Sequence, residues 1–298
     1  MAQKPETLDD LRRRIDALDD ALHDLLIERS EINRRIGTLK SKSRDDGPAW
    51  RPGREASVLR RLIARHRGPL PRAALVRIWR ELMTAFLRLQ SDFTVAAYVG
   101  TDADDGACRE IARDHFGGLT NIRTGESARQ VLREVGEGHA AIGVLPLPQQ
   151  DDAQPWWPML LGGDAGTPRV IARLPFVPGA LTRTPTEALV IGRVPFEASG
   201  RDRSLIAIEL VEPVSRATLR RQLDAAGLDG AFLQLGLAQG GERTLNLVDV
   251  DHGSSDTKLE KLAKGLGKRV GQIGSIGFYA VPLTLEELGV RAGREAAQ

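Results

Sequence analysis

From Leu8 onward, apolar residues recur at steps of three and four through Leu11, Ile15, Leu18, Leu22 and Leu25, and again at Ile32, Ile36 and Leu39. Side chains three and four apart share a helix face, so this spacing predicts one long helix with a single apolar stripe. Thr7 or Asp9 can cap its start, and the breakers Asp45, Asp46, Gly47 and Pro48 end it after about Lys42. A second helix is expected from about Gly53 to Arg65. The run Gly68, Pro69, Leu70, Pro71 then interrupts the chain, and Pro71 suits the first turn of a third helix ending near Gln90. Residues 1–91 therefore read as an all-α, three-helix domain.

The pattern changes after residue 91. Short β-rich runs such as Val95 to Val99 and Ala188 to Ile191 appear between Gly and Pro clusters. Residues 92–200 read as a small α/β segment of alternating strand and helix, with a Pro-rich loop holding Trp156 and Trp157. In residues 201–298 the order is strand (Leu205 to Leu210), helix (Arg216 to Ala226), strand (Ala231 to Leu235), strand (Thr244 to Val250), helix (Thr257 to Leu266), strand (Gly277 to Val281). That is the βαββαβ order of a ferredoxin-like domain. The expected fold class is a multidomain chain, all-α and then α+β.

Two cations disturb the first stripe. Arg29 occupies the position due four residues after Leu25, and Lys40 lies four beyond Ile36 at the stripe's edge. Buried charge is costly unless paired, so something anionic must meet them. A carboxylate from a packed helix is one answer. Arg12, Arg54, Glu55 and Gln90 also lie at the edges of apolar stripes, and a pocket collecting several cations, one amide and one acid would suit a dicarboxylate ligand. The residues alone leave both readings open.

Composition narrows the classes. Forty-two Lys plus Arg against 40 Asp plus Glu leave a net charge of +2, too little for a global field toward nucleic acid or an anionic membrane. No apolar run approaches the roughly 20 residues that span a bilayer. A single cysteine, Cys108, excludes an internal disulfide. The start MAQKPETLDD carries no apolar secretion core, and a cytoplasmic location is expected. The five histidines show no metal-ligand spacing, so no metal and no cofactor are expected. Gly265, Gly267 and Gly271 follow a helix and precede a strand, the reverse of a dinucleotide loop, and read as turn residues.

The run LDDLRRRIDALDDALHDLLIERSEINRRIGTLK, then WRPGREASVLRRL, then GPLPRAALVRIWRELMTAFLRLQ resembles the all-helical chorismate mutases. The likeness is greatest to the mutase domain of bifunctional chorismate mutase/prephenate dehydratases and covers residues 7 to 90. It implies that Arg12 and Arg29 bind substrate carboxylates, that Lys40 and Gln90 donate to the ether oxygen, and that Arg54 and Glu55 complete the pocket, Glu55 at the ring hydroxyl. Phe86 stands where relatives place a small or polar residue. The implied reaction, chorismate to prephenate in phenylalanine and tyrosine biosynthesis, is pericyclic and needs no general base. Within enzymes the rival is an isochorismate pyruvate lyase on the same scaffold. From another class, it is a non-catalytic allosteric partner of an aromatic-pathway enzyme.

The second segment resembles a shortened prephenate dehydratase through VAAYVGTDADDGACREIARDHFG, IGVLPLPQQ and TEALVIG. Of that family's Thr-Arg-Phe triplet only Thr186 remains; Glu187 and Ala188 replace the rest, so dehydratase activity is expected to be lost. The third segment resembles an ACT domain through its element order and the terminal GFYAVPL. Gln234, Leu235 and Gly236 stand in place of the signature beside the phenylalanine site, and an aromatic amino acid effector is a possible partner. On a helix rising about 1.5 Å per residue, Arg12 lies about 25 Å from Arg29 and about 42 Å from Lys40. One small molecule cannot reach all three on one straight helix. A homodimer with Arg12 supplied in trans is therefore expected.

Overall fold

The computed structural model describes residues 6–43, 49–100, 106–152, 154–164, 166–178, 186–238, 242–251 and 256–290. The expected breakers Asp45 to Pro48 lie outside the described residues. Three helices open the chain: α1 (Leu8–Ser43), α2 (Pro52–Arg65) and α3 (Arg72–Arg88). Thr7, rather than Asp9, starts α1. Its hydroxyl accepts from the Asp10 amide at 3.2 Å, while the Asp10 carboxylate takes the Thr7 amide at 3.1 Å, a reciprocal cap that satisfies two otherwise orphaned donors. Pro71 is the N-cap of α3 and lies outside its first turn; its extended ψ of 135° sets the entry of the chain.

The three helices pack differently. Ala56, Leu59 and Ile63 of α2 and Val76 and Leu87 of α3 are buried in one core with residues of the sheet. By contrast, Leu18, Leu22 and Leu25 of α1 are about 60% exposed. Near its C-terminal end α1 does meet α3, where Gly37 lies against the backbone of Gln90.

The rest of the chain forms one nine-stranded sheet. Its elements are β1 (Thr94–Tyr98), α4 (Ala107–Phe116), β2 (Asn121–Gly125), α5 (Ala128–Gly136), β3 (Ile142–Pro146), β4 (Arg169–Leu174) and β5 (Ala188–Gly192), then β6 (Asp202–Leu210), α6 (Arg216–Ala225), β7 (Gly230–Ala238), β8 (Thr244–Asp251), α7 (Asp256–Leu266) and β9 (Val270–Ala280). The strand order is β2-β1-β3-β5-β4-β9-β6-β8-β7. The first five strands mix parallel and antiparallel pairs, and β9-β6-β8-β7 is antiparallel throughout.

The two groups join where β4 pairs with β9, at Val170 and Gly277. A Cβ on Gly277 would sit 2.2 Å from the Val170 carbonyl oxygen, and its φ of +149° is one that side chains disfavour. Only glycine fits that seam. Strand β9 starts seven residues before the expected Gly277, so Gly271 is a strand residue and not a turn; Gly265 lies inside α7, and of the three only Gly267 turns the chain, with φ +61°. The glycines of β9 hid its strand character, because glycine weakens the local β signal.

Candidate functional site

The site is built where α1 crosses α3. Arg29, Asn33, Gly37 and Lys40 follow at steps of four, four and three, so they share one face of α1. The Arg29 guanidinium lies 4.7 Å over the Phe86 ring of α3. Its half-burial pulls its pKa below the ordinary arginine value, by loss of solvation. Asn33 ties the two helices: its amide nitrogen donates to the Arg29 carbonyl at 2.8 Å, and its oxygen accepts from Gln90 Nε2 at 2.9 Å. Lys40 is half-buried one turn beyond Gly37. Arg29, Gln90 and the wall formed by Phe86 are thus together, with Asn33 as the link.

Asn33 was missed by the sequence reading. Its signal was present, since Arg29, Asn33 and Gly37 form a step-four line of polar or minimal residues inside the apolar stripe.

The structure separates the other expected residues from this group. Arg12 is exposed and pairs with Asp9 at 3.3 Å, and Arg54 is exposed on α2. Glu55 points into the junction between α2, α3 and α4. There Trp50 Nε1 donates to its carboxylate at 2.9 Å, with Arg80 Nε 3.9 Å and His115 Nε2 3.7 Å away. Burial pushes the Glu55 pKa up, against the opposing pull of Arg80 and the Trp50 hydrogen bond. The resemblance implies Glu55 beside the ring hydroxyl of a substrate. In this chain its carboxylate lies at the helix–sheet junction, next to Trp50, Arg80 and His115.

In the sheet, Glu187 forms a two-point pair with Arg173, at 3.0 and 2.9 Å. Arg173 also reaches Asp249 at 3.5 Å and the Tyr279 hydroxyl at 3.2 Å, and Arg203 Nε donates to Asp249 at 2.8 Å. Burial and the nearby Asp249 carboxylate push the Tyr279 pKa up. The charge reversed at Glu187 is therefore neutralised inside the protein. Gln234 is similarly engaged: its oxygen accepts from Trp157 Nε1 at 2.7 Å, and its nitrogen donates to the Asp152 carbonyl at 3.0 Å.

Residues 11–91 match the family Chorismate mutase type II. The mutase segment so defined ends one residue past Gln90 and holds the whole α1–α3 contact. The bifunctional chorismate mutase/prephenate dehydratase of Pseudomonas aeruginosa is 33% identical over 140 residues, 46% of this chain and 38% of that protein. The protein of the same name from Aquifex aeolicus is 33% identical over 146 residues, 48% of this chain and 39% of its own length. The matches thus span about two fifths of these curated relatives. Among solved structures, prephenate dehydratase from Streptococcus mutans is similar with a TM-score of 0.46 at 13% identity, over 63% of this chain and 98% of that one. A structure described as GqqA, a quorum quenching acylase, gives a TM-score of 0.45 at 15% identity, over 65% and 96%. Among the described residues, no helix is long and apolar enough to cross a membrane.

Proposed function

We propose that this chain rearranges chorismate to prephenate at the α1–α3 crossing. The observation that carries the reading is the α1–α3 crossing, where Gln90 donates to Asn33 and the half-buried Arg29 guanidinium lies over Phe86, with Lys40 on the same face of α1, on the segment with the mutase match. The chemistry suits those groups. Arginine grips a carboxylate through a forked, always-charged edge, and holding both carboxylates selects the compact chair of the substrate. As the ether bond breaks, negative charge grows on its oxygen. Lys40 and Gln90 stabilise that charge with preorganised hydrogen bonds.

The functional unit is a homodimer. The exposed stripe through Leu11, Ile15, Leu18, Leu22 and Leu25 supports burial against an antiparallel second copy, which would bring its Arg12 to the Arg29 and Lys40 of the first. The pocket then takes Arg29, Asn33, Lys40 and Gln90 from one chain and Arg12 from the other, while Glu55 serves the helix–sheet junction.

The remaining segments play other parts. The two-point pairing of Arg173 with Glu187 supports loss of dehydratase activity, because the carboxylate that replaces the family's arginine occupies this cation itself. The βαββαβ order and antiparallel β9-β6-β8-β7 sheet support an ACT-like C-terminal domain. Engagement of Gln234 by Trp157 and Asp152 argues against phenylalanine binding at that position.

Purified protein incubated with chorismate should yield prephenate, with no enzyme-dependent phenylpyruvate. Folded protein that leaves chorismate untouched, or that releases pyruvate from isochorismate instead, overturns the proposal.

A further inference from the structure

Gln90 lies just past the end of α3, and its main chain is held on two sides. Its backbone N–H donates to the Leu87 carbonyl at 3.0 Å, and Gly37 of α1 packs so closely that a Cβ there would lie 3.0 Å from Gln90 Cα. The freedom that remains is at the tip of the side chain. A primary amide carries a donor on one side and an acceptor on the other in nearly the same shape. Only the donor can serve an ether oxygen, because a carbonyl turned to it would set lone pairs against lone pairs.

Asn33 removes that ambiguity. Its side-chain nitrogen donates to the Arg29 carbonyl at 2.8 Å, and a carbonyl can only accept. Turning the Asn33 amide over would press two oxygens together, so Oδ1 is the atom that faces α3. Oδ1 also can only accept. It takes Gln90 Nε2 at 2.9 Å and would repel Gln90 Oε1 in the reversed orientation. One backbone carbonyl of α1 therefore orients two amides in series. Gln90 Nε2 is turned to the face of α1 that carries Arg29 and Lys40, with one of its two N–H groups on Asn33 and the other left for a ligand.

We infer that Asn33 is a positioning residue for the rearrangement. It touches no reacting atom; it holds Gln90 with its donor toward the breaking ether bond, so that the donor is in place before charge develops. The inference rests on the mutase reading of the α1–α3 crossing and adds to it the group that selects the working orientation of Gln90.

The test is steady-state kinetics with chorismate on the full chain as wild type, Asn33→Leu, Gln90→Leu and the double variant. Leucine matches asparagine in shape and removes both polar atoms. Asn33→Leu should lower kcat about tenfold, less than the loss on the order of 10² to 10³ from removing the Gln90 donor outright. KM should change by no more than about twofold, because charge on the ether oxygen exists only in the transition state. In the Gln90→Leu background the same substitution should cost no more than about twofold, since no amide is left to orient. Asn33→Ala, which adds no bulk, should repeat the pattern and stands in if Asn33→Leu folds poorly. Equal losses in both backgrounds, or a loss carried by KM, would show a packing role and overturn the inference. Full kcat in both Asn33 variants would do the same while leaving the mutase reading intact. A folded wild type inactive toward chorismate would defeat the mutase reading and this inference with it, so the wild-type rate tells the two failures apart.

Discussion

Gly37 offers a test of the α1–α3 crossing that touches no charged group. A Cβ placed on it would lie 3.0 Å from Gln90 Cα and 3.1 Å from the Gln90 carbonyl oxygen, both backbone atoms that cannot swing aside. Gly37→Ala therefore sets two effects against each other. Within a helix alanine is favoured over glycine by about 1 kcal/mol, while crowding a packed contact costs about 1–3 kcal/mol. Net stability should fall by no more than about 2 kcal/mol, the difference of those terms. Restoring ordinary contact, from 3.0 Å to at least 3.4 Å, moves α1 away from Gln90 by about 0.4 Å. The same shift stretches the 2.9 Å Gln90–Asn33 bond toward the limit of a useful hydrogen bond. A misplacement of 1 Å can cost about a hundredfold in rate, so about tenfold is expected here. Gly37→Val, with two further carbons against the same backbone, should lose more than Gly37→Ala. Initial rates of chorismate consumption, paired with urea unfolding of each variant, separate the two effects. A Gly37→Ala protein with wild-type kcat/KM and a stability gain of about 1 kcal/mol would show simple helix propensity at work. The crossing would then have no part in positioning Gln90.

Lys40→Ala should reduce turnover by a factor on the order of 10² to 10³, the usual loss when a preorganised donor to developing charge is removed, with little change in unfolding; unaltered kinetics would take Lys40 out of the mechanism. Co-refolding inactive Arg12→Ala and Lys40→Ala chains should restore activity, since each mixed dimer has one site with both defects and one with neither. No recovery, or a fully active monomer, would rule out Arg12 acting in trans. His115 supplies a pH prediction. Burial, aided by Arg80, holds its pKa well below the ordinary histidine value. Below about pH 6.5 the unfolded chain binds a proton that the folded chain refuses, so stability falls as pH falls, by at most about 1.4 kcal/mol per unit. The raised Glu55 pKa acts in the opposite sense, but it is common to both proteins in a comparison with His115→Asn. Urea unfolding between pH 7 and 5 should show the variant gaining on the wild type as pH falls, and parallel profiles would contradict a buried neutral His115.

Local periodicity made the helices legible. The stripe from Leu8 to Leu39 predicts α1 because each position depends only on neighbours three and four away, and α2 begins at Pro52 and α3 just after Pro71, prolines that cannot sit inside a helix. The same locality exposed Arg29 and Lys40 as misfits in the stripe, and the element order of the C-terminal strands could be read apart from the glycine-rich start of β9. What tertiary structure decided were pairings between remote residues. Gly277 joins two groups of strands into one sheet by admitting the Val170 backbone. Arg60 of α2 clasps Ser199 and the Val281 carbonyl, 139 and 221 residues away. Glu187 found Arg173, and Glu55 came to face Arg80 and His115. A carboxylate at the edge of a stripe has several cations and donors within the chain to choose among. Which one it meets depends on how whole elements dock, and that depends on buried area summed over many contacts rather than on any spacing near the residue itself.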